Sequence, residues 1–244
     1  MFASVRAVLF DAVGTLIRPD PPVAQVYCRL GRRFGSTLSL SQVDARFKAA
    51  FARHQTEDAN SSTTQHPARG RFARGATDNQ QERQRWQRIV AEVFHDIPCA
   101  EDRLFTALWD HFAQCQHWAV YDDVASTWDQ LAAHGLSLGI ASNFDDRLPA
   151  LCHGKSPLAR CRHLFWSADI GYPKPSPEFF LEVKRRLGLT PPEILLVGDD
   201  RENDYYGAQA AGWVAVFLDR RQQQAAGGQT VYNLRQLVDL LTSD

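Results

Sequence analysis

Val5-Arg6-Ala7-Val8-Leu9-Phe10-Asp11-Ala12-Val13-Gly14-Thr15-Leu16 is the stretch on which the fold turns. Its first half, VRAVLF, is short, apolar and β-branched, the composition of a strand buried on both faces. Asp11 stands where that strand stops. Gly14 lets the chain turn sharply, so that backbone amides can face a ligand.

Outward from this stretch the texture changes twice. Between Val23 and Trp118 apolar residues recur at helical spacing: Val23, Val26, Tyr27 and Leu30; Val43, Phe47, Ala50 and Phe51; Trp86, Ile89, Val90 and Val93; Leu104, Leu108, Phe112 and Cys115. No strand is expected there, and the tryptophans, Trp128 included, read as core. A polar stretch at about 54–81 is expected to be a mobile loop. From Tyr121 strands and helices alternate. Strands are expected at Leu136–Ala141, Leu164–Trp166, Ile194–Val197 and Trp213–Leu218. Helices are expected at Val124–His134, Pro177–Leu187 with Ser176 as N-cap, Glu202–Ala211 and Leu234–Leu241. Alternation of this kind means an α/β layer with a parallel sheet. The expected organisation is a discontinuous α/β core, 1–18 and 119–244, with an all-helical insertion at 19–118. An insertion at a strand's carboxyl end can act as a lid.

The chain has 244 residues, 44% hydrophobic and 23% charged, which excludes a disordered chain and is long enough for a real core. The net charge of -1 gives no reason to expect nucleic acid or an anionic membrane as partner. The 23 Arg against 4 Lys read as codon usage before function. Five cysteines without a Cys-x-x-Cys fit a reduced, cytoplasmic protein. No signal peptide is expected, and no apolar run reaches the roughly 20 residues of a membrane span. Monomer and homodimer both fit.

Four polar groups fall where strands are expected to end: Asp11; Ser142 with Asn143 in ASNFD; Lys174 in GYPKPSP; and Asp199, Asp200 and Asp204 in GDDRENDYYG. In a parallel sheet these ends share one edge. Carboxylates gathered there need a cation, and Mg²⁺ is the hard, oxygen-loving choice. Lys174 supplies a point charge and Ser142 a hydroxyl and amide for an anion's oxygens. Asp11 can be ligand and nucleophile, since carboxylates form acyl phosphates. Asp200 is not counted as a ligand.

In order and spelling these segments resemble the haloacid dehalogenase superfamily at all four of its motifs: Asp11-Ala12-Val13-Gly14-Thr15, Ser142-Asn143, Lys174-Pro175, and Gly198-Asp199 with Asp204. ASNFDDRL, GYPKPSP and the helix around Trp86 look most like its uncharacterised hydrolase-like members. The resemblance implies a Rossmann-like core with a helical cap inserted after the first motif. It implies Asp11 as nucleophile, Ser142 and Asn143 on the phosphate, and Lys174 holding the anionic pair. Mg²⁺ would rest on Asp11, the backbone carbonyl of Val13, Asp199 and Asp204. The implied activity is Mg²⁺-dependent hydrolysis of a small phosphorylated metabolite through an aspartyl-phosphate.

Val13 departs from the pattern. Phosphatases of the superfamily carry an Asp there as general acid and base, and such a group contributes typically ~10²–10⁴-fold. Slow turnover on alkyl phosphates is therefore expected. A non-catalytic, phosphoester-binding member is one alternative. A carbon-attacking dehalogenase is another, disfavoured because Asp199 and Asp204 keep a metal site which that chemistry does not need. The superfamily's phosphonate-cleaving enzymes use a cap lysine as a Schiff base. Lys48 is the sole lysine of the helical block and is expected to face water. Cys152, His153, Cys161 and His163 fit no common zinc spacing, and His111, Cys115 and His117 are set aside likewise. Arg69, Arg71 and Arg74 are read as a solvated loop before an anion clamp.

Overall fold

The computed structural model describes residues 2–60, 76–97, 102–222 and 229–242. The chain divides into two compact units, 1–18 with 120–244 and 19–119.

The first unit is built on β1 (Ala7–Phe10), whose four residues are all buried. After β2 (Ile17–Pro19) the chain enters the second unit through α1 (Val23–Arg33), α2 (Leu40–Asn60), α3 (Asn79–Val93) and α4 (Arg103–Phe112). It returns through β3 (Trp118–Val120), which pairs with β2 in a separate two-stranded sheet. Then follow α5 (Val124–Ala133), β4 (Ser137–Ser142), α6 (Leu148–His153), β5 (His163–Trp166), α7 (Ser167–Ile170), α8 (Pro177–Leu187), β6 (Ile194–Gly198), a π-turn (Arg201–Tyr206), α9 (Gly207–Ala210), β7 (Val214–Leu218), β8 (Thr230–Val231) and α10 (Leu234–Thr242).

The main sheet is parallel in the order β5-β4-β1-β6-β7-β8. Ala7 pairs with Ser137 on one side and Ile194 on the other. The chain builds outward from β1 through β4 and β5, then crosses back to β6. The order therefore reverses beside β1, and open α/β sheets bind ligands at such a crevice, outside the strands' carboxyl ends.

Four local expectations are corrected. The polar stretch from residue 54 is not loop at its ends: α2 continues to Asn60 and α3 begins at Asn79. His54 is buried and its Nε2 lies 3.3 Å from Glu92 Oε2 on α3, with Arg53 also paired to Glu92, so polar residues here join two helices. Arg69, Arg71 and Arg74 lie outside the described residues. The helix expected at Glu202–Ala211 is a π-turn followed by one α-turn. Strand β3 begins at Trp118, and it, β2 and β8 are too short for periodicity to reveal. Ser176 does stand before α8, but its hydroxyl bonds the Glu178 carboxylate instead of capping the backbone.

The helical unit packs around Tyr27, Val43, Ile89, Val93, Phe94 and Leu108. Trp118 and Trp128 are buried, while Trp86 and Trp109 are half-buried against that core. No helix among the described residues is long and apolar enough to cross a membrane.

Candidate active site

Asp11, Ser142 and Asp199 stand at the ends of strands, whereas Lys174 comes from the loop between α7 and α8, not directly from the end of β5 as expected, and Asp204 from the π-turn. The Asp11 N–H donates to Val197 O at 2.9 Å, continuing the β1–β6 pairing one residue past β1. The chain then folds back: Gly14 takes φ +89°, and the N–H groups of Leu16 and Ile17 both donate to Ala12 O. A Cβ on Gly14 would stand 2.2 Å from Asp199 Oδ2, so only glycine lets the turn approach that carboxylate. Gly198 is equally constrained, since its Cβ would meet Asp204 Oδ2 at 2.0 Å.

Ser142 ends β4 and is 2% exposed. Asn143 ties the next loop down: its Nδ2 donates to Lys174 O at 2.9 Å, and the Lys174 N–H donates to Asn143 Oδ1 at 2.7 Å. Asn143 therefore holds the Lys174 backbone in place. Asp204 is brought in by the π-turn, in which the Tyr205 N–H reaches back five residues to Asp200 O. Asp200 caps this turn, accepting from the N–H groups of Glu202 and Asn203 at 2.9 and 3.0 Å.

The side chains converge. Lys174 is 3% exposed, and its ammonium donates to Asp11 Oδ1 (2.9 Å), Asp204 Oδ1 (2.5 Å) and Ala141 O (2.7 Å). The Ser142 hydroxyl also donates to Asp11 Oδ1, at 2.9 Å. Two donors thus hold one oxygen of Asp11, and Oδ2 accepts no hydrogen bond among the described residues. Thr15, fully buried, donates its hydroxyl to Asp199 Oδ1 at 3.2 Å.

Carboxylate oxygens of Asp11, Asp199 and Asp204 lie within 4.8 Å of one another. Burial pulls the Lys174 pKa down, but Asp11 and Asp204 outweigh it and hold the ammonium charged. Desolvation, and then the charge of Asp11, pushes Asp199 up to about 7, although this residue opens to solvent. Asp204 is also pushed up to about 7, by burial and by Asp11 against the pull of Lys174. The two partners of the Lys174–Asp204 pair both shift upward. The single ammonium pairs with two of the three carboxylates, so the lysine stays charged while the crowding falls on the acids.

That crowding tests the fit of a metal. Three carboxylates and one ammonium leave two negative charges, the amount that a divalent cation balances. An all-oxygen donor set suits Mg²⁺. Val13 lies in the turn after Asp11, its backbone bridged to Ile17, and carries no ionisable side chain.

The remaining candidates are not drawn in. Lys48 is exposed and paired with Asp44 at 2.6 Å. Burial pushes the Cys152 and Cys161 thiols up to about 12 and 11. His153 and His163 bond Pro149 O and the Ser137 hydroxyl. His111 stacks on His117 at 3.7 Å. Among the described residues the carboxylate trio is the one cluster suited to a metal. Sequence reasoning gave no role to Thr15; its position one residue after Gly14 was the available signal.

A family model described as haloacid dehalogenase-like hydrolase matches residues 5–212. Haloacid dehalogenase-like hydrolase domain-containing protein 3 of Danio rerio is 29% identical over 229 residues, covering 92% of this chain and 89% of that protein. A HAD phosphatase from Thermococcus onnurineus has a TM-score of 0.68 at 23% identity, over 98% of this chain and 99% of the other. An L-2-haloacid dehalogenase from Xanthobacter autotrophicus has a TM-score of 0.66 at 19% identity, over 98% and 99%. At such identities the two solved structures establish the fold alone. With the family model spanning strands β1 to β6 and the helical insertion, the chain belongs to the haloacid dehalogenase-like hydrolases.

Proposed function

We propose that this protein is a Mg²⁺-dependent phosphohydrolase of a small phosphorylated metabolite, acting through an aspartyl-phosphate on Asp11. The observation that carries this reading is the gathering of Asp11, Asp199 and Asp204 around one ammonium, which leaves two negative charges when all three are ionised. A nucleophile attacking carbon has no need of them. Phosphoryl transfer does, because a divalent ion held there neutralises the phosphoryl oxygens and lets an anionic nucleophile approach. The candidate ligands are Asp11, Asp199, Asp204 and the Val13 carbonyl.

The chain's own groups then divide the work. Ser142 and Lys174 hold Asp11 Oδ1, which presents Oδ2 for in-line attack on phosphorus. Lys174 stays protonated and offsets charge that builds between Asp11 and the phosphoryl group. Asn143 keeps Lys174 in place through its two backbone bonds. The P–O bond to the leaving group breaks as the Asp11–P bond forms. Water then attacks the acyl phosphate, releasing phosphate and restoring Asp11. Position 13 has no proton to give, so a poor leaving group departs slowly and a good one departs unaided. The free thiols Cys28, Cys115, Cys152 and Cys161 support a cytoplasmic setting.

Rapid mixing with an aryl phosphate and Mg²⁺ at high enzyme concentration tests the nucleophile by itself. The expected result is one phenolate released per enzyme, followed by slow turnover, and no burst from Asp11→Asn. Val13 favours a second reading, a phosphoester-binding protein without turnover. Metal and phosphoester binding with no burst would establish that reading instead.

A further inference from the structure

Arg220, two residues past β7, reaches the loop that follows Asp11. Its guanidinium forms a bidentate pair with Asp123, at 2.9 Å from Nη1 and 3.0 Å from Nη2. The same Nη2 donates to Thr15 O at 2.7 Å. The guanidinium carbon stands 3.9 Å from the centre of the Tyr121 ring, and the Tyr121 N–H donates to Leu16 O at 3.0 Å. Asp123 also accepts the Leu234 N–H at 2.8 Å, which fixes the carboxylate from α10. Both side chains of the pair are largely buried, so this is not a surface ion pair of negligible worth. Burial alone would raise the Asp123 pKa, but the bonds from Arg220 and Leu234 bring it below the usual carboxylate value.

Thr15 is thereby held at both ends. Arg220 fixes its carbonyl, and its hydroxyl donates to Asp199 Oδ1 at 3.2 Å. We infer that Arg220 is a positioning residue for the metal centre: braced by Asp123, it sets Thr15, and Thr15 orients the Asp199 carboxylate. The inference rests on Asp199 being a metal ligand, as proposed above. The planar fork lets one group serve both Asp123 oxygens and a carbonyl, and only the bond to the carbonyl lies on the path to Asp199.

Mn²⁺ titration of the full chain, followed by the paramagnetic resonance of the free ion, tests it on wild type, R220A, R220Q and T15V. Circular dichroism melts run in parallel. R220A and T15V are expected to bind Mn²⁺ about tenfold more weakly, the scale on which groups behind a metal ligand act. R220Q, which keeps an amide donor for Thr15 O, is expected to recover most of the loss even if its melting temperature falls with that of R220A. The R220A/T15V double variant is expected to be no weaker than the weaker single, because both cut one path. Wild-type affinity in R220A, additive losses in the double variant, or affinity that follows melting temperature across the set would overturn the inference. Absence of Mn²⁺ binding by wild type would instead bring down the metal reading itself, and this inference with it.

Discussion

The two units of this chain bury titratable groups under the same physical cost and answer it with opposite signs. At the sheet edge of the α/β unit burial falls on acids: Asp199 and Asp204 are pushed up to about 7 beside a single ammonium. In the helical unit it falls on a base. His111, 9% exposed, is pushed down to about 4 by burial and then by the positive neighbours His117 and Arg29. The helical unit leaves Lys48–Asp44 in water, ties the buried His54 to Glu92, and packs aromatic rings inside. One unit therefore gathers acids around a single ammonium, and the other hides a neutral histidine.

The largest expected effect comes from overloading the charged edge further. Val13→Asp adds a fourth carboxylate and restores a proton donor. Alkyl phosphate turnover is expected to rise by about 10²-fold or more, while the metal-free protein melts lower than wild type. An unchanged steady-state rate in a folded, metal-bound variant would remove the account of Val13. Next in size, Lys174→Met takes away the ammonium buried between Asp11 and Asp204 and should cost about 3–5 kcal/mol in denaturant unfolding. Lys48→Met in the helical unit, breaking an exposed pair, should cost less than about 1 kcal/mol. Equal losses from the two would erase the contrast.

The pH response should separate the units as well. Carboxylates raised in the folded state bind protons that the unfolded chain releases, so their contribution to stability is complete below about pH 4. It is lost as pH rises through about 7. In EDTA the α/β unit should weaken from pH 5 to pH 8, and Mg²⁺ should raise the melting temperature more at pH 8 than at pH 5. A Mg²⁺ effect that is the same at both would count against the surplus charge. The smallest effect is the mirror image. The neutral His111 contributes stability above about pH 6.5 that is lost as pH falls through about 4. His111→Phe should therefore flatten the acid side of the melting profile and leave the alkaline side alone.

Much of this was legible in the sequence because both signals are local. A buried parallel strand is a short apolar run, and VRAVLF, LSLGIA and ILLV announce themselves. Asp11 and Ser142 follow such runs directly and Asp199 one residue later, so finding the strands found these three. Lys174 needed the motif order, since it lies in a loop beyond β5 and α7. Arg220 left no trace: one arginine among 23 in a post-strand segment has no period and no fixed partner spacing. The π-turn was equally hidden, because one extra backbone residue leaves a polar helix pattern unchanged while it redirects Asp204. His54 was misplaced because polarity in sequence does not tell an exposed loop from two helices joined by ion pairs.

The placement of β1 has a consequence for the chain as it leaves the ribosome. Its four apolar residues emerge well before its neighbours in the sheet, which begin only at residues 137 and 194. Until then it has unpaired backbone on both edges, the arrangement that invites pairing with other chains. The helical unit is complete by residue 119 and rests on contacts made within itself, so it can fold during that wait. Synthesis that stalls between the end of the helical insertion and β6 should accordingly yield a folded bundle trailing an unsheltered strand, and aggregation should fall sharply once β6 has been made.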